Sequence, residues 1–372
     1  MKLRRYQLYL TAVLLVFAAA VLFFTGAFNF GGGRTPYLSV KATPPGADWY
    51  IDLQWGLTET HYYVLYHGIG PSVANARQAD IVLLGDSRAL LGFDWRQVEA
   101  FSRAHGVRIF NLAIDGATGW EFPLAIMKKH GIHPKAVVFT VPSFVANAMF
   151  QAAKEAMDTS WLTSFKYVLS GETLWRVKNA AALVSQPGFT WLYPRQSFNA
   201  TYRSTLSGCW FRDDWLDSPH MPIKQADAPC LKEYALPGEL TQAFKQWGTS
   251  VIVGNIPSGG WCPGQEQALA EQIGGEGVGV DTDDLRTYDG SHLDKASSEA
   301  YTRRFLEGLA GTEAFRRPPS AGQERGPGVW ARSAGQECGI DAPGGDDMSR
   351  PGERPGPACG GPPTTYRDRK DL

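Results

Sequence analysis

The body of this chain lacks any block of lysine or arginine residues. Over its 372 residues the formal net charge is −1. Proteins that bind nucleic acid usually present a basic patch or stripe to the phosphates. The composition therefore argues against nucleic acid as a partner.

Cysteine is also scarce, with 5 residues in the whole chain. None of them has the spacing to histidine that is typical of a zinc site, and we expect neither a metal nor a cofactor. Cys209, Cys230 and Cys262 precede the carboxyl-terminal tail. In an oxidising compartment we expect a bridge between Cys209 and Cys230, although the spacing alone does not fix the pairing.

Charge is nearly absent from residues 6–30, which form an apolar run that follows Lys2, Arg4 and Arg5. A run of roughly 20 apolar residues is long enough to cross a bilayer as a helix. Because no small-x-small cleavage site ends the run, we expect residues 1–34 to be an uncleaved signal anchor rather than a signal peptide. The positive residues before it predict a cytoplasmic amino terminus, with the rest of the chain in the periplasm or outside the cell.

Apolar periodicity is missing from the end of the chain. Residues 313–372 are rich in Gly, Pro, Arg and Glu, and we expect a disordered tail there. Residues 35–79 have no clean period and are expected to form a stalk and packing segment. The remainder, residues 80–312, is the predicted folded domain, with a long insertion at about residues 143–235. The insertion either packs on the edge of the domain or builds a substrate cleft.

Strands and helices alternate along the folded domain. This alternation predicts an α/β fold with a mainly parallel sheet and helices on both of its faces. The predicted strands are 81–84, 107–112, 136–141, 250–254 and 278–281, and the predicted helices are 94–105, 119–130, 144–157, 172–184, 238–247 and 294–309.

One of these strands ends at a serine. Ile81–Leu84 is a run of four apolar residues, typical of a strand buried on both faces, and Gly85-Asp86-Ser87 follows at once. Ser87 is thus expected just beyond the carboxyl end of a core strand, where open α/β sheets bind ligands. A serine hydroxyl in that position becomes a nucleophile if a base reaches it. In the alternative interpretation, Ser87 is only a turn residue that caps the backbone after the strand.

A candidate base lies in the loop before the last predicted helix, Asp289-Gly290-Ser291-His292. An aspartate three residues before a histidine can hold one imidazole nitrogen and leave the other free to take a serine proton. An Asp-x-x-His pattern is common by chance. It is informative here because the predicted topology places His292 on the same edge of the sheet as Ser87.

Together the motifs resemble the SGNH, or GDSL-type, serine hydrolases and acyltransferases. Gly85-Asp86-Ser87 is similar to the first block of that family, residues 111–118 to the second, and the Asp289–His292 segment to the last. The resemblance covers about residues 80–310 without the insertion. It implies a flavodoxin-like three-layer α/β/α sandwich.

The resemblance also implies roles for single residues. Ser87 would be the nucleophile, His292 the base and Asp289 the acid that orients it. The backbone N–H groups of Ser87 and Gly116 would form the oxyanion hole.

The third block of the family, Gly-x-Asn-Asp, has no counterpart in this chain. The residues after the third predicted strand are Pro142-Ser143-Phe144-Val145. The side-chain amide donor of the oxyanion hole is therefore missing, or Asn147 or Asn255 replaces it. Losing one such donor typically costs about 10²–10³ in rate.

Three further residues are candidates for substrate binding. Arg88 adjoins the predicted nucleophile and is placed to attract an anionic group, although such a side chain more often packs its stem and faces water. Asn111 belongs to the second block. In the alternative interpretation its side chain supports the neighbouring loop and does not bind substrate. Trp261 lies on a loop after the fourth predicted strand and is expected to wall the cleft.

The anchor and the resemblance together favour a membrane-tethered, extracytoplasmic serine esterase or O-acyltransferase. Its expected substrates are O-acetyl groups of a cell-surface polysaccharide, processed through an acyl-enzyme. Similar proteins often work beside a multi-spanning membrane acyltransferase, which is the expected partner. The alternatives are a catalytically inactive SGNH-like domain that binds glycan or scaffolds such a complex, and a lipid esterase at the membrane surface.

Overall fold

The computed structural model describes residues 11, 13–16, 48–54, 58–115, 118–141, 148–170, 200–211, 220–223, 236–259 and 262–317. They all fall within one unit, Met1–Arg325. A second unit, Gly326–Leu372, lies outside the described residues. The predicted domain limits at residues 34 and 79 stay predictions.

The strands and helices are numbered in chain order. The strands are β1 (Trp49–Gln54), β2 (Thr58–Glu59), β3 (Ile81–Leu84), β4 (Ile109–Asn111), β5 (Ala136–Val141), β6 (Ala200–Ser204), β7 (Trp210–Phe211), β8 (Met221–Pro222), β9 (Ser250–Asn255), β10 (Glu276–Val278) and β11 (Arg286–Thr287). The helices are α1 (Thr60–His67), α2 (Ser72–Arg77), α3 (Ser87–Gly92), α4 (Trp95–His105), α5 (Glu121–His130), α6 (Gln151–Asp158), α7 (residues 161–170), α8 (Gly238–Trp247), α9 (Gln265–Ile273), α10 (Lys295–Gly311) and α11 (Glu313–Arg316).

Five parallel strands form the central sheet, in the order β10-β9-β5-β3-β4. The mixed α/β fold and the parallel sheet predicted from the sequence are confirmed. Numbered along the chain within this sheet, the strand order is 2-1-3-4-5. The chain runs outward from β3 to β4 on one side and from β5 to β10 on the other, so the direction of winding changes beside β3. In parallel α/β sheets the crevice at such a point, beyond the carboxyl ends of the strands, is where ligands bind.

The core lies on both faces of this sheet, because alternate residues of β3 point to opposite sides. Ile81 and Leu83 belong to a buried cluster with residues of α3, α4 and α10. Val82 and Leu84 belong to another cluster with residues of α1, α5 and α8. All four side chains are buried, as the run of apolar residues predicts.

A second, antiparallel sheet has the order β2-β1-β6-β7. It joins β1, which precedes the central sheet, to β6 from the predicted insertion, with Tyr50 paired to Arg203. No local signal in the sequence predicts this pairing, because no turn connects the two strands. Part of the insertion is therefore built into the same unit as the segment at residues 48–54.

Helix α4 shows how local chemistry sets the boundaries of an element. The Asp94 side chain accepts a hydrogen bond from the Gln97 N–H at the amino end. Gly106, with a φ of 61°, ends the helix in the left-handed conformation that glycine favours. Both signals are readable in the sequence, and the prediction for this helix is confirmed.

Other boundaries differ from the predictions. Strand β10 begins two residues before the predicted 278–281, because Glu276 already pairs with Ile252 of β9. Helix α9 was not predicted, and the helix predicted at 172–184 lies outside the described residues. The folded region also extends past residue 312: the Glu276 carboxylate accepts from the N–H groups of Glu313 and Ala314, which holds α11 in place.

The predicted pairing of Cys209 with Cys230 is wrong. Cys209 is a free, buried thiol, and burial raises its pKa to about 12. Cys262 is disulfide-bonded, and its partner is a cysteine outside the described residues.

Within the part of the chain that the structure describes, no helix has both the length and the apolar character needed to cross a membrane. Nearly all of the predicted anchor, residues 1–34, lies outside that part.

Candidate active site

Three side chains at the edge of the central sheet form a hydrogen-bonded chain. Ser87 Oγ lies 2.8 Å from His292 Nε2. On the other side of the imidazole, Nδ1 lies 2.7 Å from Asp289 Oδ2. Ser87 and His292 are 205 positions apart in the sequence, so the fold alone brings them together.

The turn between β3 and α3 presents the serine. Ser87 is the first residue of α3, and the Asp86 side chain caps the helix by accepting from the Arg88 N–H at 3.0 Å. The N–H of Ser87 stands at the start of a helix, where no intrahelical carbonyl is available to it. The residue two positions before the serine must be small, because a Cβ on Gly85 would lie 1.9 Å from Thr140 Oγ1 of the neighbouring strand β5.

The loop that carries His292 is organised by Asp289. Oδ1 of Asp289 accepts from the backbone N–H groups of Ser291 and His292, at 2.9 and 2.8 Å, while Oδ2 contacts the imidazole. Gly290 turns the loop with a φ of 83°. The Tyr288 ring stacks on the imidazole with 5.7 Å between ring centroids. Tyr288 was not singled out in the sequence, where nothing distinguishes it from other aromatic residues.

The hydrogen bonds at Asp289 determine which ring nitrogen of His292 carries the proton. Partial burial favours the neutral acid, but the hydrogen bonds from His292 and Ser291 outweigh it and lower the pKa of the Asp289 carboxyl. The ionised carboxylate can only accept, so Nδ1 of His292 carries the proton and donates it to Asp289. Nε2 is then free to accept from the Ser87 hydroxyl, which is the arrangement a general base needs.

The site is open to solvent. The side chain of His292 is 18 % exposed and that of Asp289 is 38 % exposed. A water molecule or another hydroxyl compound can therefore approach the imidazole.

Residues 111–118 are called the β4 loop, and the first described residues of this loop are bonded to β3 and to the serine turn. The N–H of Leu112 donates to Leu83 O at 2.8 Å, and the N–H of Ile114 donates to Gly85 O at 3.0 Å. Gly116 itself lies outside the described residues. Its part in an oxyanion hole stays a prediction.

The guanidinium of Arg88 is engaged within the protein. It donates to both carboxylate oxygens of Asp86, at 2.6 Å for the shortest bond, and to Ser258 Oγ at 3.2 Å. Arg88 thereby ties the serine turn to the loop that follows β9. Its contact with a substrate stays a prediction.

Asn111 is not placed to bind a substrate, which corrects that expectation. The residue is fully buried; its Nδ2 donates to Ala89 O, and its Oδ1 accepts from the Ala113 N–H. Because both ends of the amide bond the backbone, Asn111 supports the β4 loop.

Trp261 and Asn147 lie outside the described residues. Asn255, the other substitute for the missing amide donor, is buried at the carboxyl end of β9. Among the residues that the structure describes, no group of three or more His, Cys, Asp or Glu side chains could hold a metal ion.

Comparison of the chain with protein-family models, with curated proteins and with solved structures finds no match. Its function is therefore inferred from the geometry of the site and from the motifs that form it.

Proposed function

We propose that this chain is a serine esterase or O-acyltransferase of the SGNH type. The observation that carries the proposal is the chain of contacts from Ser87 through His292 to Asp289. The strand order 2-1-3-4-5 supports it, because this is the flavodoxin-like order, with Ser87 beside the point where the winding changes. Buried clusters on both faces of the sheet fit a three-layer α/β/α sandwich.

The proposed reaction begins when Nε2 of His292 takes the proton of the Ser87 hydroxyl. Ser87 Oγ then attacks the ester carbonyl carbon, and the N–H groups of Ser87 and Gly116 hold the carbonyl oxygen as it becomes negative. The C–O bond to the alcohol breaks, the leaving alkoxide takes the proton from His292, and an acyl-serine remains. Water or a sugar hydroxyl then gives its proton to His292 and attacks the acyl carbonyl carbon. The C–O bond to Ser87 breaks, and Ser87 Oγ takes the proton back from His292, which restores the free enzyme.

The resemblance and the amino-terminal apolar run extend this proposal to O-acetyl groups of a cell-surface polysaccharide, outside the cytoplasm. The disulfide at Cys262 supports an oxidising compartment. Residues 13–16 are helical with exposed apolar side chains, which fits the proposed membrane anchor. A multi-spanning membrane acyltransferase is the proposed partner.

A second candidate is a catalytically inactive domain that binds glycan or scaffolds such a complex. The observation that favours it is the sequence after β5, Pro142-Ser143-Phe144-Val145, where the third family block is absent. An inactive domain has no need of an activated serine, so reactivity of Ser87 separates the two candidates.

Turnover of p-nitrophenyl acetate by the full-length chain tests the proposal. We expect Ser87→Ala to reduce the rate to that of the uncatalysed reaction while the melting temperature is unchanged. Ser291→Ala is the matched control, because it keeps the backbone N–H that bonds Asp289. A Ser87→Ala variant with the wild-type rate would exclude the mechanism.

A further inference from the structure

We propose that Arg88, Ser258 and Gly259 are positioning residues that keep the nucleophile and the base of the proposed reaction at hydrogen-bonding distance. The inference rests on the proposed function and deepens it. The nucleophile and the base come from two distant parts of the chain, and a third segment bonds both of these parts. This segment, residues 256–259, follows β9 and is called the β9 loop.

The first bond of the β9 loop goes to the turn that presents the serine. Nη1 of Arg88 donates to Ser258 Oγ at 3.2 Å. The same guanidinium donates to both carboxylate oxygens of Asp86, which also caps α3. Ser87 is the first residue of that helix. Arg88 therefore sets the position of the serine turn relative to Ser258, whose side chain is buried.

The second bond of the β9 loop goes to the loop that carries the base. The N–H of Gly259 donates to the carbonyl oxygen of Gly290 at 2.7 Å. Gly290 lies between Asp289 and His292, which are themselves joined by two hydrogen bonds. A Cβ on Gly259 would lie 2.8 Å from the same carbonyl oxygen. The two backbones approach so closely that a side chain at residue 259 would displace the histidine loop.

The β9 loop has a fixed origin. The six residues Ser250–Asn255 that precede it pair with β5 in the central sheet. Ile256, the first residue of the loop, is buried, and a Cβ on Gly92 of α3 would lie 3.0 Å from its side chain. The loop is therefore held against the sheet and against α3 before it reaches either catalytic residue.

Ser258 and Gly259 are neighbours in the chain, so their Cα atoms are about 3.8 Å apart. One peptide unit thus separates the bond to the serine turn from the bond to the histidine loop. A general base acts only within about 2.6–3.2 Å of the proton it takes, and Ser87 Oγ lies 2.8 Å from His292 Nε2. We infer that the short link through the β9 loop maintains this distance.

Ser258→Ala is the sharpest test, because it removes the hydroxyl that Arg88 bonds and leaves the loop backbone intact. With p-nitrophenyl acetate we expect kcat to fall about tenfold, since a misplacement of about 1 Å costs up to roughly 10²-fold. KM should stay within about twofold, because His292 serves both acylation and deacylation and the two steps slow together. A purely structural role would lower the melting temperature and leave kcat of the folded enzyme unchanged.

Ser250→Ala is the matched control. Ser250 lies at the opposite end of the same strand, and its Oγ accepts a hydrogen bond from Arg317 Nη1 at 3.1 Å. The variant therefore also removes a serine hydroxyl bonded by an arginine, but away from the site. We expect wild-type kcat and KM.

Arg88→Met shows whether the effect of Ser258 passes through Arg88. Methionine keeps an apolar stem but has no hydrogen-bond donor in its side chain. If the bond between the two side chains is the cause, adding Ser258→Ala to Arg88→Met should lower kcat no further. Independent effects would instead multiply, and that result would overturn the assigned role of the bond.

Gly259→Ala tests the contact with the histidine loop. The added Cβ pushes on the Gly290 carbonyl, so kcat should fall at least as far as in Ser258→Ala. Gly238→Ala is the control, because a Cβ at the first residue of α8 meets open space. Wild-type kcat in a folded Gly259→Ala protein would contradict the inference.

The failure of this inference and the failure of the proposed function give different results. If the wild-type chain shows no turnover that depends on Ser87, the proposed function is wrong and this inference is wrong with it. If the wild type turns over and Ser258→Ala keeps the wild-type kcat, the inference alone is overturned. Should Arg88→Met or Gly259→Ala fail to fold, the comparison of Ser258→Ala with Ser250→Ala decides.

Discussion

Asp289 illustrates how much a single side chain does at this site. One carboxylate oxygen accepts hydrogen bonds from two backbone N–H groups of the loop, and the other bonds the imidazole and orients it. Backbone bonds from Tyr288 to the His292 carbonyl and from Gly259 to the Gly290 carbonyl close the loop further, and the histidine has one tautomer that suits both neighbours.

Asp289→Asn should separate these two functions. The amide can still accept backbone bonds, but its NH₂ group faces Nδ1 and favours the wrong tautomer of His292. We expect kcat for p-nitrophenyl acetate to fall by about 10²–10⁴-fold with little change in melting temperature. Asp283→Asn, an exposed position in a preceding turn, is the control. Wild-type kcat in Asp289→Asn would contradict the assigned role.

Asp52 predicts a dependence of stability on pH. Burial raises the pKa of its carboxyl to about 7, against the opposing effect of the Arg203 guanidinium, from an ordinary value of 3.8. Between these two values the folded protein holds a proton that the unfolded chain has released. The contribution of Asp52 to stability is therefore present below about pH 4 and is lost as the pH rises toward 7.

Urea denaturation of the wild type and of Asp52→Asn at pH 5 and pH 8 measures this effect. The asparagine cannot ionise, so the free energy of unfolding of the wild type should drop between the two pH values by more than that of the variant. Equal pH dependence in the two proteins would show that Asp52 has an ordinary pKa.

At the scale of elements, the β3–α3 turn depends on close approach between two strands. Gly85 lies against Thr140 of β5 and Ala89 of α3, and a Cβ at residue 85 would come within 1.9 and 2.7 Å of their side chains. The turn that exposes Ser87 is thus available only to glycine.

Gly85→Ala should destabilise the protein by about 1–3 kcal/mol, the usual cost of overpacking, and should displace Ser87 from His292. Thermal unfolding and turnover of p-nitrophenyl acetate measure the two effects. Gly311→Ala at the end of α10, where a Cβ meets open space, should be neutral for both. A fully stable and active Gly85→Ala protein would mean that the strands are less closely packed than the structure shows.

The parts of the site that the sequence predicted are those set by local chemistry. The run Ile81–Leu84 is buried on both faces because it is uniformly apolar, and Asp289 reaches His292 because they share one turn. The hydrogen bonds from Tyr62 and Arg203 to the β4 loop could not be predicted. Tyr62 bonds a carbonyl 53 positions away, and Arg203 bonds carbonyls 92 and 90 positions away. Every residue has a backbone carbonyl, so the sequence does not show which ones accept these bonds.

At the scale of the whole molecule, the two described cysteines differ in chemical state, and alkylation distinguishes them. Cys262 is disulfide-bonded, whereas Cys209 is buried and free. In the intact full-length protein, iodoacetamide without reductant should modify neither residue. Urea alone should expose Cys209, and Cys262 should react only after reduction. Peptide mass spectrometry resolves the two sites, and alkylation of Cys262 in urea without reductant would contradict the disulfide.

We propose that the fold activates Ser87 by bringing His292 to it, and covalent labelling tests this proposal most directly. The full-length chain is incubated with a fluorophosphonate, digested, and analysed by mass spectrometry, with His292→Ala as the comparison. We expect an adduct on the peptide that contains Ser87 in the wild type and little or none in His292→Ala. An unlabelled wild-type Ser87, or equal labelling of both proteins, would contradict it.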